Sequence, residues 1–432
     1  MESRKQIFNL KFLIFNQFKK INFKKLFVSL WLLFLPTQLG LHFWPEWSQV
    51  MGLRVDYLAP TLYFGDILWI FLLIFNFKFL IFNQFKIFNF KFLIIFLFVI
   101  INIFVAGNKW EAGYKWMRII QWIVTFKLIL DNKKLFKEML LKVLPVWIIG
   151  EGLLGLAQVV NGGSLNGIFY WLGERRFSYI SLGVAQISYL GQGLIRAYGT
   201  FSHPNSFAGF ILISLIVYMR YQNYELKITN YELKKRIFYW SVVFCGLLGL
   251  FLSGSRTVWG ILIILLITNY ELRITNWKKT LGTILIFGGL VVLIFSLISN
   301  NYRIVDFVGG WDSEGMVKRG GLMVASLKMI KDHLLFGVGA GNFLVRLPEY
   351  QQNSGVFWLQ PVHNIIILMT VEYGLVGFLM MMKFSIFNFQ FSIKKKNNLI
   401  VLGIILITGM VDHYWLTLPQ NWWLMCVVLS LI

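Results

Sequence analysis

The chain has 432 residues, of which 57% are hydrophobic, 18% aromatic and only 14% charged. A soluble fold of this length needs far more polar surface to cover its core, so composition excludes an ordinary globular enzyme. The net charge of +22 would suit nucleic-acid binding, but its placement points elsewhere.

The elements predicted in chain order begin with a basic tail, 1–25, followed by a membrane domain over 26–432. Apolar runs predict spans at 26–44, 57–75, 92–106, 116–130, 139–160 and 205–221, then at 237–253, 256–268, 280–298, 362–383, 399–416 and 420–432. The fold class expected is therefore an all-α polytopic membrane protein of roughly ten to twelve transmembrane helices. The first apolar run follows a basic stretch but lacks a small-residue cleavage site, so it reads as a retained signal anchor.

With the N-terminus in the cytoplasm, alternating spans place about 27 of the 41 Lys and Arg on the cytoplasmic side. The clusters Lys133/Lys134/Lys137, Lys234/Lys235/Arg236, Lys278/Lys279 and Lys394/Lys395/Lys396 all fall there. They read as topology anchors and contacts to anionic lipid, not as a nucleic-acid surface. The expected location is the inner (cytoplasmic) membrane of the cell, with the lipid bilayer as the first partner. Cys245 and Cys426 lie inside spans, which argues against a disulfide framework or a paired-cysteine metal site.

Two repeated units punctuate the chain. Asn9–Lys19 and Asn76–Lys86 differ at one position, as do Asn223–Asn230 and Asn269–Asn276. All fall in cytoplasmic segments and read as insertions that loops tolerate. The opposite loops, 161–203 and 299–361, are long and mix Gly, Trp, Arg, Asp and Glu. Loops of that length are uncommon unless they serve a function.

Four groups there could carry chemistry. Arg196 to Asn205 leads into a span, with Pro204 at a helix start and Ser202 a possible cap. Ser253-Gly-Ser255-Arg256 is a tight turn where a guanidinium meets helix-start amides, a compact anion site. The loop 299–361 supplies Arg303, Lys318 and Arg319, then Gly337-Val-Gly-Ala-Gly341, which reads as a turn because no strand precedes it. His363-Asn364 stands at the mouth of a span, where an imidazole can act as a general base. Glu372 does not pair with His363, since nine positions separate them by about 13.5 Å along a helix. It reads as a structural group. Walker, HExxH and Gly-x-Ser-x-Gly motifs are absent, so the chemistry expected is cationic side chains plus one base.

Taken in order, Arg196-x-x-Gly199-x-Phe201-x-His203-Pro-Asn205, Ser253-Gly-Ser-Arg256, Arg319, Gly337–Phe343 and His363-Asn364 with Glu372-x-Gly374 resemble the O-antigen ligase and polymerase family of bacterial membrane glycosyltransferases. The resemblance covers about 150–380. It implies a GT-C-like helical fold with a large extracytoplasmic loop and an undecaprenyl-pyrophosphate-linked glycan donor. The acceptor it implies is a glycan, lipid or protein. His363, Arg319 and Arg256 would be catalytic, with Arg196, His203, Asn205, Arg303 and Asn364 binding substrate. Inversion follows, with neither metal nor cofactor. The chain departs from the pattern at Leu322 and Met323, where a Trp is usual, and at Leu334, where a Pro is common. Arg303 therefore stays an alternative to Arg319. The competing class is a transporter or flippase of the same lipid-linked glycans. That class predicts ionisable residues deep in several spans and inverted repeats, neither of which stands out here.

Overall fold

A computed structural model describes residues 22–76, 90–181, 183–189, 192–228, 233–267, 313–351, 358–393 and 398–431. The expected span 280–298, Arg303 and most of the repeat copies lie outside these residues. Helices dominate: α1 (Phe23–Leu33), α2 (Phe64–Phe75), α3 (Phe90–Val105), α4 (Lys109–Asp131), α5 (Lys133–Asn161) and the one-turn α6 (Ile168–Trp171). Next come α7 (Pro204–Ile228), α8 (Leu233–Leu252), α9 (Arg256–Ile267), α10 (Ser313–Asp332) and α11 (Phe343–Tyr350). The last are α12 (Ile365–Ile393), α13 (Asn398–Gly409), the short α14 (Tyr414–Thr417) and α15 (Pro419–Leu431).

Three helical stretches among the described residues are long and apolar enough to cross a membrane: Lys133–Asn161, Leu233–Leu252 and Ile365–Lys383. Shorter apolar helices accompany them at Phe64–Phe75, Leu93–Val105, Arg256–Leu265 and Leu399–Gly409. Several expected boundaries move. The first span stops at Leu33, because Pro36 cannot continue a helix and the chain turns into the strand Gly40–His42. That strand pairs antiparallel with Thr61–Tyr63, so the second span starts at Phe64 and not at 57. The span expected over 399–416 breaks at Gly409, which leaves Asp412 and His413 in a turn.

α7 is the centre of the bundle. Every residue from 206 to 219 is buried, as expected of a helix that is apolar all round and enclosed by others. Around it α5 and α8 pack through glycines that let backbones approach closely. A Cβ on Gly152 would sit 2.4 Å from the Cys245 carbonyl oxygen, and one on Gly155 3.0 Å from the Ala197 methyl. Gly152→Ala should therefore lower stability by about 1–3 kcal/mol, the range for overpacking a tight contact. Thermal unfolding in detergent measures it, and an unchanged midpoint would mean that α5 and α8 are less closely seated than drawn.

The connecting segments meet at one pole. The Arg196 side chain reaches Ser253, Thr200 hydrogen-bonds the Pro36 carbonyl, Gln420 reaches Thr200, and Asn364 reaches Met410. Buried polar groups near the end of α5 hold this layer. Gln158 Oε1 accepts the backbone N–H of Tyr198 (3.1 Å) and Gly199 (2.8 Å), and Glu151 accepts that of Thr200 (2.9 Å). The lysines that begin α5 and α8 stand at the opposite pole.

Candidate active site

His203 and Asn205 are placed by the start of α7. Pro204 occupies the first helical position, so His203 is the cap residue: its carbonyl accepts from Phe207 N and its Nδ1 from Asn205 N at 3.2 Å. The cap expected at Ser202 thus moves by one residue. Asn205 then bridges two groups. Its Oδ1 accepts from Arg196 Nη2 at 2.7 Å, and its Nδ2 donates to Asp412 Oδ2 at 2.9 Å. Arg196 Nε also donates to the Ser253 carbonyl at 2.5 Å, which ties the loop before α7 to the turn before α9. Arg196 is thereby a strut between these two segments.

Asp412 is the buried hub. Its Oδ1 accepts the backbone N–H of His413 at 2.8 Å and lies 3.4 Å from His363 Nδ1. At that separation the pair is electrostatic, and Nδ1 has no closer polar partner among the described residues. The ring nitrogen turned toward the carboxylate leaves Nε2 on the far side of the imidazole. His413 packs against His363, ring centres 5.1 Å apart, and bonds Thr417 Oγ1 through Nδ1 at 2.7 Å. The Tyr57 ring, from the segment between α1 and α2, meets His413 in a T-shaped contact with ring centres 5.4 Å apart.

Burial opposes ionisation of Asp412, yet the imidazoles of His363, His413 and His203 around it hold its pKa well below the ordinary carboxylate range. Burial pulls His413 down to about 3, against the pull of Asp412, and pulls His203 down to about 4. Burial also lowers Arg196 to about 10, helped by the charges of Arg256 and Arg319, while Asp412 opposes. Arg256 at the start of α9 and Arg319 on α10 are both exposed and both act on Arg196. Arg319 also acts on His203 and His413. Near neutral pH the site holds an Asp412 carboxylate and neutral His203 and His413, within the charge influence of three guanidinium groups.

One consequence is a pH dependence of stability. An unfolded histidine takes up its proton near pH 6.5, whereas folded His413 resists until about 3. The unfolded chain therefore binds more protons as pH falls below about 6.5, and stability should drop. Asp412 stays ionised in both states between pH 7 and 5, so that window isolates the imidazoles. Unfolding temperatures at pH 7 and 5 should fall with acid, and His413→Gln should flatten the slope. An equal slope in that variant would remove His413 from the account.

The other expected residues are placed as follows. Asn364 caps α12, its Oδ1 accepting from Ile366 N (3.0 Å) and Ile367 N (3.1 Å), while its amide donates to Met410 O. The glycine run is a turn, with Gly337, Gly339 and Gly341 all at positive φ. It docks on α12, where Val338 N reaches Val371 O at 2.8 Å and Gly339 N reaches Glu372 O at 3.1 Å, beside a break at Gly374. The Glu372 carboxylate accepts the amides of Gly341 and Phe343, so it holds this turn and stands apart from His363.

Asp412 and His413 were not legible as site residues, because they fall within an apolar run counted as a span. An Asp-His pair near the end of such a run was the signal available. His363, Asp412 and His413 also bring three ligand atoms within 4.8 Å of one another, a spacing that could hold a metal ion. Both Asp412 oxygens already accept hydrogen bonds, and the guanidinium groups nearby disfavour a further cation.

With this geometry in place, comparison with known proteins is informative. Residues 241–382 match the family model for O-antigen ligase. This stretch is similar to the O-antigen ligase family. Arg256, Arg319, His363 and Glu372 fall inside the ligase region, whereas Arg196, His203, Asn205 and Asp412 reach the same site from outside it. Comparisons with curated proteins and with solved structures find no significant match. Glycan transfer of the O-antigen ligase type is the general activity that goes with the ligase region.

Proposed function

We propose that the protein moves a glycan from an undecaprenyl-pyrophosphate donor onto an acceptor hydroxyl at the extracytoplasmic face, through a GT-C-like helical fold. The observation that carries this reading is His363, 3.4 Å from buried Asp412, in a site whose other groups feel the charges of Arg196, Arg256 and Arg319. The imidazole Nε2 takes the acceptor proton as the acceptor oxygen bonds to the anomeric carbon. The bond from that carbon to the pyrophosphate oxygen breaks on the opposite face, so configuration inverts. Undecaprenyl pyrophosphate leaves with its charge neutralised by Arg256 and Arg319, without a metal ion. Asp412 holds the ring orientation and offsets the positive charge that forms on it. His203 and Asn205 contact substrate, and Arg303, which lies outside the described residues, is assigned the same role.

Mass spectrometry of lipids that copurify with the protein tests the donor. A polyprenyl-pyrophosphate glycan should accompany the wild type and be lost from Arg256→Ala with Arg319→Ala. Ordinary phospholipid alone in both would overturn the donor assignment and favour a transporter or scaffold. The face is tested separately by Ser354→Cys, in the loop beyond the described residues. It should react with an impermeant maleimide in intact cells, and protection until lysis would reverse the topology.

A further inference from the structure

The segment between α5 and α7 carries an apolar and basic surface that the bundle leaves open. Ile168, Trp171 and Ile180 are 70%, 68% and 86% exposed, with Tyr170, Leu172 and Tyr179 exposed beside them. Arg175 and Arg176 are exposed in the same stretch. The Arg176 guanidinium lies over the Tyr170 ring, 4.5 Å from its centre. This is the mixture of Trp, Tyr and Arg found where a membrane meets water.

The segment is not a loose excursion. Glu174 is buried and pins it, accepting from Gln158 Nε2 (2.9 Å), Leu165 N (2.8 Å) and Asn166 N (2.7 Å). Gly173 presses on Thr37 and Gln38, where a Cβ would meet Thr37 Oγ1 at 2.2 Å. The surface is thus held level with the ends of α1 and α5. Below it, Val146, Leu153 and Val160 are exposed at 55%, 49% and 63% along α5. A spacing of seven is two helical turns, so they form one stripe down a face that a spanning helix turns to lipid. That stripe runs up to the residues from which the segment departs.

We propose that residues 168–180 lie on the membrane at this pole. Their aliphatic and aromatic side chains enter the acyl region, and Arg175 and Arg176 contact the phosphates of anionic phospholipid. Continuity with the α5 stripe favours lipid over a protein partner, as does the pair of arginines at headgroup level. Arg175 Nη1 also donates to the Ser202 carbonyl at 3.4 Å, next to His203. Lipid bound here therefore steadies the loop that delivers His203 and Asn205. The proposal does not depend on the reaction assigned above.

Ile180→Cys labelled with bimane in nanodiscs tests it, since Cys245 and Cys426 are buried and Ile180 is free to change. Lipid brominated on its acyl chains should at least halve the emission, and aqueous iodide should leave it unchanged. Brominated phosphatidylglycerol should outcompete brominated phosphatidylcholine by roughly fivefold per arginine, the factor for one basic residue at an anionic surface. Arg175→Gln with Arg176→Gln should abolish that preference. Quenching by iodide alone would place the segment in water and overturn the proposal. Protection from both quenchers would show a protein covering it, a second copy or another chain, and would overturn it equally. Equal quenching by the two lipids would remove the phosphate contact.

Discussion

Replacing His363 by Ala should reduce glycan transfer by about 10²–10⁴-fold, the contribution of a positioned general base. Binding of the donor should change little, because in the proposed reaction the imidazole serves the acceptor proton and not the pyrophosphate. The prediction rests on geometry that no other imidazole in the site shares. His413 is buried, and its Nδ1 is committed to Thr417. His203 spends its Nδ1 on the amide of Asn205. His203 is also partly exposed, but only His363 combines partial exposure with an Nδ1 that is unbonded among the described residues and 3.4 Å from the buried carboxylate. Single-turnover transfer with a preloaded donor separates the chemical step from binding. Normal folding and donor retention with transfer lost would establish the base. Loss of donor binding in parallel would make His363 a binding residue, and wild-type turnover would require another group to take the proton.

Arg256→Ala and Arg319→Ala should each lower transfer by about 10²–10³-fold, the scale for removing one group aimed at developing charge. In the proposed reaction the leaving pyrophosphate gains negative charge as the glycosidic bond breaks, and a guanidinium group beside it would stabilise that state. The two positions are supported differently. Arg256 is the first residue of α9, set by the Ser253-Gly254-Ser255 turn, in which Ser253 Oγ accepts from Ser255 N at 3.2 Å. Arg319 rides on α10, which packs against α12. Arg256→Lys should recover part of the loss, because charge returns without the planar fork that grips two phosphate oxygens. If the two act on one pyrophosphate, the double variant should lose less than the product of the single losses. Strict additivity would place them on separate groups. An unchanged rate in Arg319→Ala would transfer its role to Arg303.

The membrane class was legible from composition alone, since no arrangement of so few charged residues covers a soluble core. Order along the chain also exposed Arg256, His363 and the start of α7, because charge or imidazole beside a helix terminus stands out against apolar runs. Glu372 was separable from His363 by helix geometry, and the structure gives it a different task, holding the amides of Gly341 and Phe343.

Hydropathy could not locate the breaks. Residues 26–44 are continuously apolar enough to read as one span, yet Pro36 ends the helix and the strand pairing of Leu41 with Leu62 takes over. The same averaging hid Asp412 and His413 inside an apparent span. Pattern along the chain reports what each residue prefers, and it set the bundle, its basic pole and the candidate cations. Which distant residues meet is decided by packing: α13 breaks beside the mouth of α12, and α7 begins between them. Asp412 thereby falls within reach of both Asn205 and His363. No local preference encodes that meeting, because its stability comes from burying the three helices against one another.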